Sequence, residues 1–290
     1  MEGAGTGVKL IIFGMGFATM KKLFIFAALF ALVSACFAVN VISPLTATVT
    51  DGSQISVGNV GPGQTFAIVA EPEVATGGRY GLGGAYDQMS ASELPYGWTS
   101  VPSKIYSNPL QTDITVPKDA PDGEYEVGLT LWDEAGSEGL GDNVTFTVKV
   151  TVTRDVMDMK VEPAYLSVGA GQPARYTITI LNKGIANDVF TVSSSVVLDC
   201  EFRRSVYVPS GTSKTLTYEV VGNEEADYGV KILAKSGSSD AIRGEQDVQL
   251  RVNTDLFSDY RAVNRGLLLF PLTEAPVYFV TGLLSNLLPQ

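Results

Sequence analysis

From Arg175 to Leu181 apolar and polar residues alternate, with Tyr176, Ile178 and Ile180 on one side, and the alternation resumes through Val189 and Phe190 to Val192. A period of two is the signature of a half-buried strand. The cluster Asn182-Lys183-Gly184 between the two runs predicts a turn using φ > 0. The stretch Gly169 to Pro173 predicts another turn ahead of the first run. The same grammar recurs upstream. Thr46–Thr50 and Thr65–Ala70 read as strands. In Glu124–Leu131, Tyr125, Val127, Leu129 and Leu131 share one face, and Val144–Thr153 alternates again. Downstream, Lys160–Glu162, Phe202–Val208, Lys214–Val221, Gly229–Ala234 and Asp247–Val252 complete a second set. Short strands at roughly 8–12-residue spacing with few helix signals predict an all-β chain of two tandem antiparallel sandwiches. Residues 39–153 form the first and 154–253 the second. The Gly-, Ser- and Tyr-rich stretch Thr76–Asn108 reads as irregular.

The two flanks break the pattern. Met20-Lys21-Lys22 followed by the apolar run Leu23–Val33 and small residues reads as a signal helix. Residues 1–38 are then the signal region, with Met20 as the working start. Cleavage after Ala38 is favoured over lipidation at Cys36, because Phe37-Ala38-Val39 is no polar tether. At the other flank, residues 254–290 form an apolar helical tail. Leu267–Leu288 is long enough to span a bilayer. Yet Glu274 at its middle costs about 2.5–3.5 kcal/mol there, and Pro271 and Pro276 interrupt it. In Ala275–Leu288, Val277, Val280, Leu284, Leu287 and Leu288 line one face, which fits an interfacial or partner-binding helix equally well.

Composition narrows the function classes. With 20 basic and 31 acidic residues the net charge is −11, which opposes nucleic-acid binding. No histidine is present, so a Ser-His-Asp or Cys-His catalytic arrangement within the chain is excluded. The only cysteines are Cys36 and Cys200, which leaves no internal disulfide once the signal is removed.

The two strand sets repeat each other. Pro62-Gly63-Gln64 matches Ala170-Gly171-Gln172, and Glu124-Tyr125 matches Asp227-Tyr228, each before a valine-bearing strand. With the turns Pro62–Gln64, Asn182–Gly184 and Asp122–Tyr125, the span from Val39 to Asn253 resembles tandem immunoglobulin-like modules of the CARDB type found in archaeal and bacterial cell-surface proteins. The second unit lacks the proline before Gly171, and Asp227-Tyr228 has no glycine between its residues. The resemblance implies an exported, non-catalytic structural, adhesion or spacer protein of the cell surface. Envelope proteins or surface glycans would be its partners, with membrane attachment through the tail. Two alternatives stand beside it: a carbohydrate-binding module, and an accessory subunit of an envelope complex docked through its C-terminal helix.

Few residues carry candidate chemistry. Asp133, Glu134, Glu138 and Asp142 on a glycine-flexed loop are the oxygen ligands Ca²⁺ takes, but their spacing matches no EF-hand pattern and a solvated acidic loop is the stronger reading. No other cofactor is expected. Asn143-Val144-Thr145 is the one N-glycosylation sequon. Tyr80, Tyr86, Tyr96, Trp98 and Tyr106 in the irregular stretch are candidates for a ligand surface. Asp119, Asp122 and Glu124 are explained by turn chemistry rather than by a carboxylate pair for glycoside hydrolysis.

Overall fold

The structure is a computed structural model that describes residues 38–134, 136, 138–140, 143–195, 202–222 and 224–254. The signal-like segment, both cysteines, Asp142 and the apolar tail lie outside the described residues.

The described chain is all-β. A first group of strands comprises β1 (Val39–Ser43), β2 (Ala47–Val49), β3 (Gln54–Val60), β4 (Thr65–Ala70), β5 (Glu73–Val74), β6 (Gly84–Ala85), β7 (Gln88–Glu93), β8 (Thr99–Val101), β9 (Leu110–Thr115), β10 (Gly123–Trp132) and β11 (Val144–Val152). They form one sheet in the order β2-β1-β4-β9-β8 facing a second in the order β3-β11-β10-β7, with the ribbon β5-β6 alongside. A second group comprises β12 (Met157–Glu162), β13 (Tyr165–Gly169), β14 (Pro173–Asn182), β15 (Asp188–Ser194), β16 (Arg203–Val208), β17 (Ser213–Val221), β18 (Ala226–Ser236) and β19 (Arg243–Asn253). Its sheets run β12-β14-β17 and β13-β19-β18-β15-β16. The pairing is antiparallel except that β3 lies parallel to β11 and β13 parallel to β19.

Alternation places the cores. Along β11, Val144, Phe146, Val148, Val150 and Val152 point inward to meet Val127, Leu129 and Leu131 of β10. Along β14, Tyr176, Ile178 and Ile180 are fully buried, as the period-two reading requires. Each such side chain contributes about 1.5–3 kcal/mol through burial, so one inward row is enough to hold a strand in register. The Tyr176 hydroxyl donates to the Gln249 carbonyl at 2.9 Å, and its ring stacks on Tyr218 at 6.1 Å. Burial, with a further contribution from Tyr218, raises its pKa from 10.0 to about 12.

The repeat is visible in the backbone. In both sandwiches a four-residue turn closes by an N–H to carbonyl bond, Gln64 to Gly61 and Gln172 to Gly169. The third residue of each turn, Gly63 or Gly171, has φ of 75°, where a side chain is strained. The Tyr125 hydroxyl donates to the Pro121 carbonyl and the Tyr228 hydroxyl to that of Glu224, each four residues upstream.

Two sequence expectations change. The stretch expected to be irregular contains β7, which pairs with β10 from Gln88 to Glu93 and buries Met89 completely. Its sequence, QMSASE, has no β-branched residue, so its partner strand rather than its own propensity makes it a strand. The Asn182–Gly184 turn uses no positive φ. Instead Asn182, fully buried, accepts from the Gly184 N–H and donates to the carbonyls of Ala186 and Val208. The two sandwiches also differ from each other: β8 joins the sheet of β4 and β9, whereas β16, at the same place in the repeat, joins β15 in the opposite sheet.

Candidate functional site at the junction of the sandwiches

The strands β11 and β12 are separated by only four residues, so the end of the first sandwich sits on the start of the second. Lys183 donates its backbone N–H to the Val156 carbonyl at 2.8 Å, and Ile185 donates to the Asn59 carbonyl at 2.8 Å. Val156 and Ile242 are fully buried, and Ala186 of the second sandwich packs into the core of the first. Ion pairs of Arg154 with Asp122 and of Lys183 with Asp155 flank the linker on its exposed side.

Close approach is possible because the facing turn is Gly61-Pro62-Gly63. A Cβ on Gly61 would lie 2.4 Å from the Ile242 Cδ1, and one on Gly63 would lie 2.5 Å from the Ser238 carbonyl oxygen. The glycines therefore serve the turn and also admit the second sandwich.

At the centre lies Asp188, 4% exposed. Its Oδ2 accepts from Gln64 Nε2 of the first sandwich at 2.7 Å and from Ser236 Oγ at 2.6 Å. Its Oδ1 accepts from Ser238 Oγ at 3.0 Å and the Val189 N–H at 2.7 Å. Gln64, fully buried, uses its other amide atom to accept the Gly61 N–H at 2.7 Å. All four donors to the carboxylate are neutral. A buried charge is tolerable when its lone pairs are filled in this way, and removing one donor is costly. Donors from both sandwiches converge on the one carboxylate, so the cluster ties the first sandwich to the second. Sequence reasoning missed it, because Gln64 and Asp188 lie 124 residues apart and Ser236 is 48 residues from Asp188.

The aromatic candidates separate into two places and two exposures. Tyr96 and Trp98 lie in the β7–β8 connection at the junction end, whereas Tyr80, Tyr86 and Tyr106 lie near the opposite end, beside β5, β6 and the start of β9. Trp98 is 6% exposed, packed on Phe66 and Tyr125, and Tyr86 is 2% exposed. Both are core residues and leave the candidate surface. Tyr80, Tyr96 and Tyr106 remain exposed. Tyr106 alone among the described non-glycine residues has a positive φ, 57°.

The acidic loop is held by its backbone. Asp133 Oδ2 accepts the Gly139 N–H at 3.1 Å, the Glu134 N–H donates to Asp87 Oδ2 at 2.9 Å, and the Glu138 carbonyl accepts the Arg79 N–H at 2.8 Å. Asp133 Oδ1 is buried without a hydrogen-bond partner among the described residues. No group of three or more acidic or cysteine side chains able to hold a metal occurs among the described residues. Asn143 is exposed immediately before β11, accessible to a glycan. Asp122 forms an ion pair with Arg154. Charge is unevenly shared: residues 39–153 hold 14 acidic and 4 basic side chains, and residues 154–253 hold 13 and 11.

No family model matches the chain, and no curated protein matches it. Among solved structures, a chimeric titin Z1Z2 carrying a decorin peptide is similar over 76% of this chain and 100% of its own, at 13% identity and a TM-score of 0.33. A β-glucosidase from Listeria innocua in complex with glucose is similar over 34% of this chain, at 14% identity and a TM-score of 0.24, and this chain spans 16% of it. The PapD-like domain 7 of human CEP192 is similar over 33% of this chain and 84% of its own, at 12% identity and a TM-score of 0.24. By its own geometry the described chain is a tandem all-β sandwich protein with a largely buried polar junction.

Proposed function

We propose that this chain is an exported surface protein whose work is mechanical, a spacer or adhesion element built from two immunoglobulin-like sandwiches of the CARDB type, with no chemistry of its own. The observation that carries this reading is the junction around Asp188. A buried carboxylate satisfied from both sandwiches makes them one unit, which is what a spacer requires. The two tyrosine hydroxyls bonded to the backbone four residues upstream support the immunoglobulin-like reading, since such corners recur in that fold. The path of the chain also fits. The described chain begins at β1 and ends at β19, each at the sandwich end away from the junction, so the tail follows from the end opposite the first sandwich.

The test is fractionation of host cells, with mass spectrometry of the mature N-terminus. The full chain is expected in the envelope fraction with its start near Val39, and deletion of residues 266–290 is expected to release it as a soluble protein. A truncated chain still held in membranes would move the anchor to Cys36. An intact Met20-Lys21-Lys22 start, or a soluble full-length chain, would refute the attachment scheme.

A second reading keeps the exposed Tyr80 and Tyr106 as a glycan contact at the far end of the first sandwich. Tyr106 supports it, because a left-handed tyrosine costs about 1–3 kcal/mol and such strain collects at binding sites. Loss of polysaccharide retention in Tyr106→Ala, with melting unchanged, is the expected result. Equal retention would end this reading.

A further inference from the structure

The second sandwich carries a local group of cations on a face where Glu245 and Asp247 also stand exposed, Glu245 being paired with Lys231. On the outer side of the sheet β19-β18-β15-β16, Lys235 stands opposite Thr191 on one side and Arg243 on the other, and Arg203 stands opposite Ser193 two pairs along, on the same face. Arg203 and Lys235 line a single open depression of about 420 Å³ with Thr191, Ser193, Leu233 and Asp240. Lys235 has one weak ion pair, to Asp240 at 3.9 Å with the acid 93% exposed, and Arg203 and Arg243 have none among the described residues. Beside them the cross-strand pair Val189 and Tyr207 is 42% and 54% exposed. Arginine and tyrosine around an open depression are the residue types that concentrate binding energy at protein interfaces.

The complementary surface is present on the same chain. At the end of the first sandwich away from the junction, Glu71, Glu73, Glu134 and Glu138 are exposed. The 75–83 loop lies against Glu138 and presents Tyr80 at 82% and Leu82 at 86% exposure. This end points away from its own second sandwich, so it can meet the cationic face only in another molecule.

We propose that the Arg203/Lys235/Arg243 face docks the carboxylate-rich far end of the first sandwich of a second copy. The two surfaces differ, so the contact is heterologous and propagates head to tail instead of closing as a dimer. A free polyanion could also be drawn by these cations, but the exposed Val189-Tyr207 pair favours a protein surface over a polymer. Contacts of this kind, with charges near solvent, assemble weakly and dissolve as salt screens them.

Sedimentation velocity of the full chain over a range of concentrations reads the proposal. Low salt is expected to give growth beyond dimers and high salt to give monomers. Arg203→Glu/Lys235→Glu is expected to weaken association at least about tenfold, and Glu134→Lys/Glu138→Lys to do the same. An equimolar mixture of the two variants should associate again, because each then offers the surface that the other needs. Circular dichroism and melting confirm that the variants fold. Should the first lose its native transition, Arg243→Glu/Tyr207→Ser reads the same face. A wild-type chain that stays monomeric at low salt, growth that stops at a dimer, association that survives the reversals, or a mixture that stays monomeric would each overturn the proposal. So would retention on dextran sulfate, lost in Arg203→Glu/Lys235→Glu, without any self-association.

Discussion

Gln64→Ala combined with Asp188→Ala is expected to show that the two sandwiches unfold as one. Gln64→Ala removes the 2.7 Å donor to the Asp188 carboxylate and leaves the Gly61 N–H without its acceptor. The charge-assisted bond is worth about 1.5–3 kcal/mol and the neutral one about 0.5–1.5 kcal/mol, giving a loss of about 2–4 kcal/mol. Asp188→Ala leaves Gln64 Nε2, Ser236 Oγ, Ser238 Oγ and the Val189 N–H with no acceptor, a loss of similar or greater size. The measured coupling between the two changes should be about 1.5–3 kcal/mol, the value of the shared bond. The assay is urea unfolding followed by tryptophan fluorescence. Trp98 and Trp132 are the only tryptophans, and both belong to the first sandwich. A change at Asp188 in the second sandwich should therefore shift the tryptophan transition of the first. Additivity within about 0.5 kcal/mol, or a tryptophan midpoint unmoved by Asp188→Ala, would refute the reasoning and leave two independent units in contact.

Other outcomes follow from the same geometry. Gly63→Ala should destabilise more than Gly171→Ala, since both glycines have φ of 75° but only the first would drive a Cβ to 2.5 Å from the Ser238 carbonyl oxygen; chemical denaturation of the pair gives the comparison, and equal losses would mean that the junction adds nothing. Trp98→Ala should cost about 3–5 kcal/mol as a core truncation, and a stable Trp98→Ala protein would contradict its burial. Tyr176 holds its proton more tightly when folded, so its contribution is intact below pH 10 and is lost as pH rises from there through about 12. That loss is up to about 2–3 kcal/mol. Tyr176→Phe should flatten this alkaline fall while costing about 1 kcal/mol at neutral pH through the missing bond to Gln249; an unchanged alkaline slope would show that another group is responsible.

The amino-acid sequence by itself determined the strands whose pattern is local. The alternation in β10, β11 and β14 appears as buried rows because a period of two needs no distant information. The turns at Gly63 and Gly171 were legible for the same reason, since a left-handed position favours glycine wherever the chain goes afterwards. Tertiary structure decided what depends on partners. β7 is a strand because β10 offers it a ladder, and Asn182 builds its turn with carbonyls brought to it by the fold. Of five aromatics in one stretch, Tyr86 and Trp98 went inside and Tyr80, Tyr96 and Tyr106 stayed out, since composition does not say which ring has a core beside it. The junction was the least legible feature. A glutamine, an aspartate and two serines are ordinary surface residues until two sandwiches close over them, and only then does each need the others to replace the water it has lost.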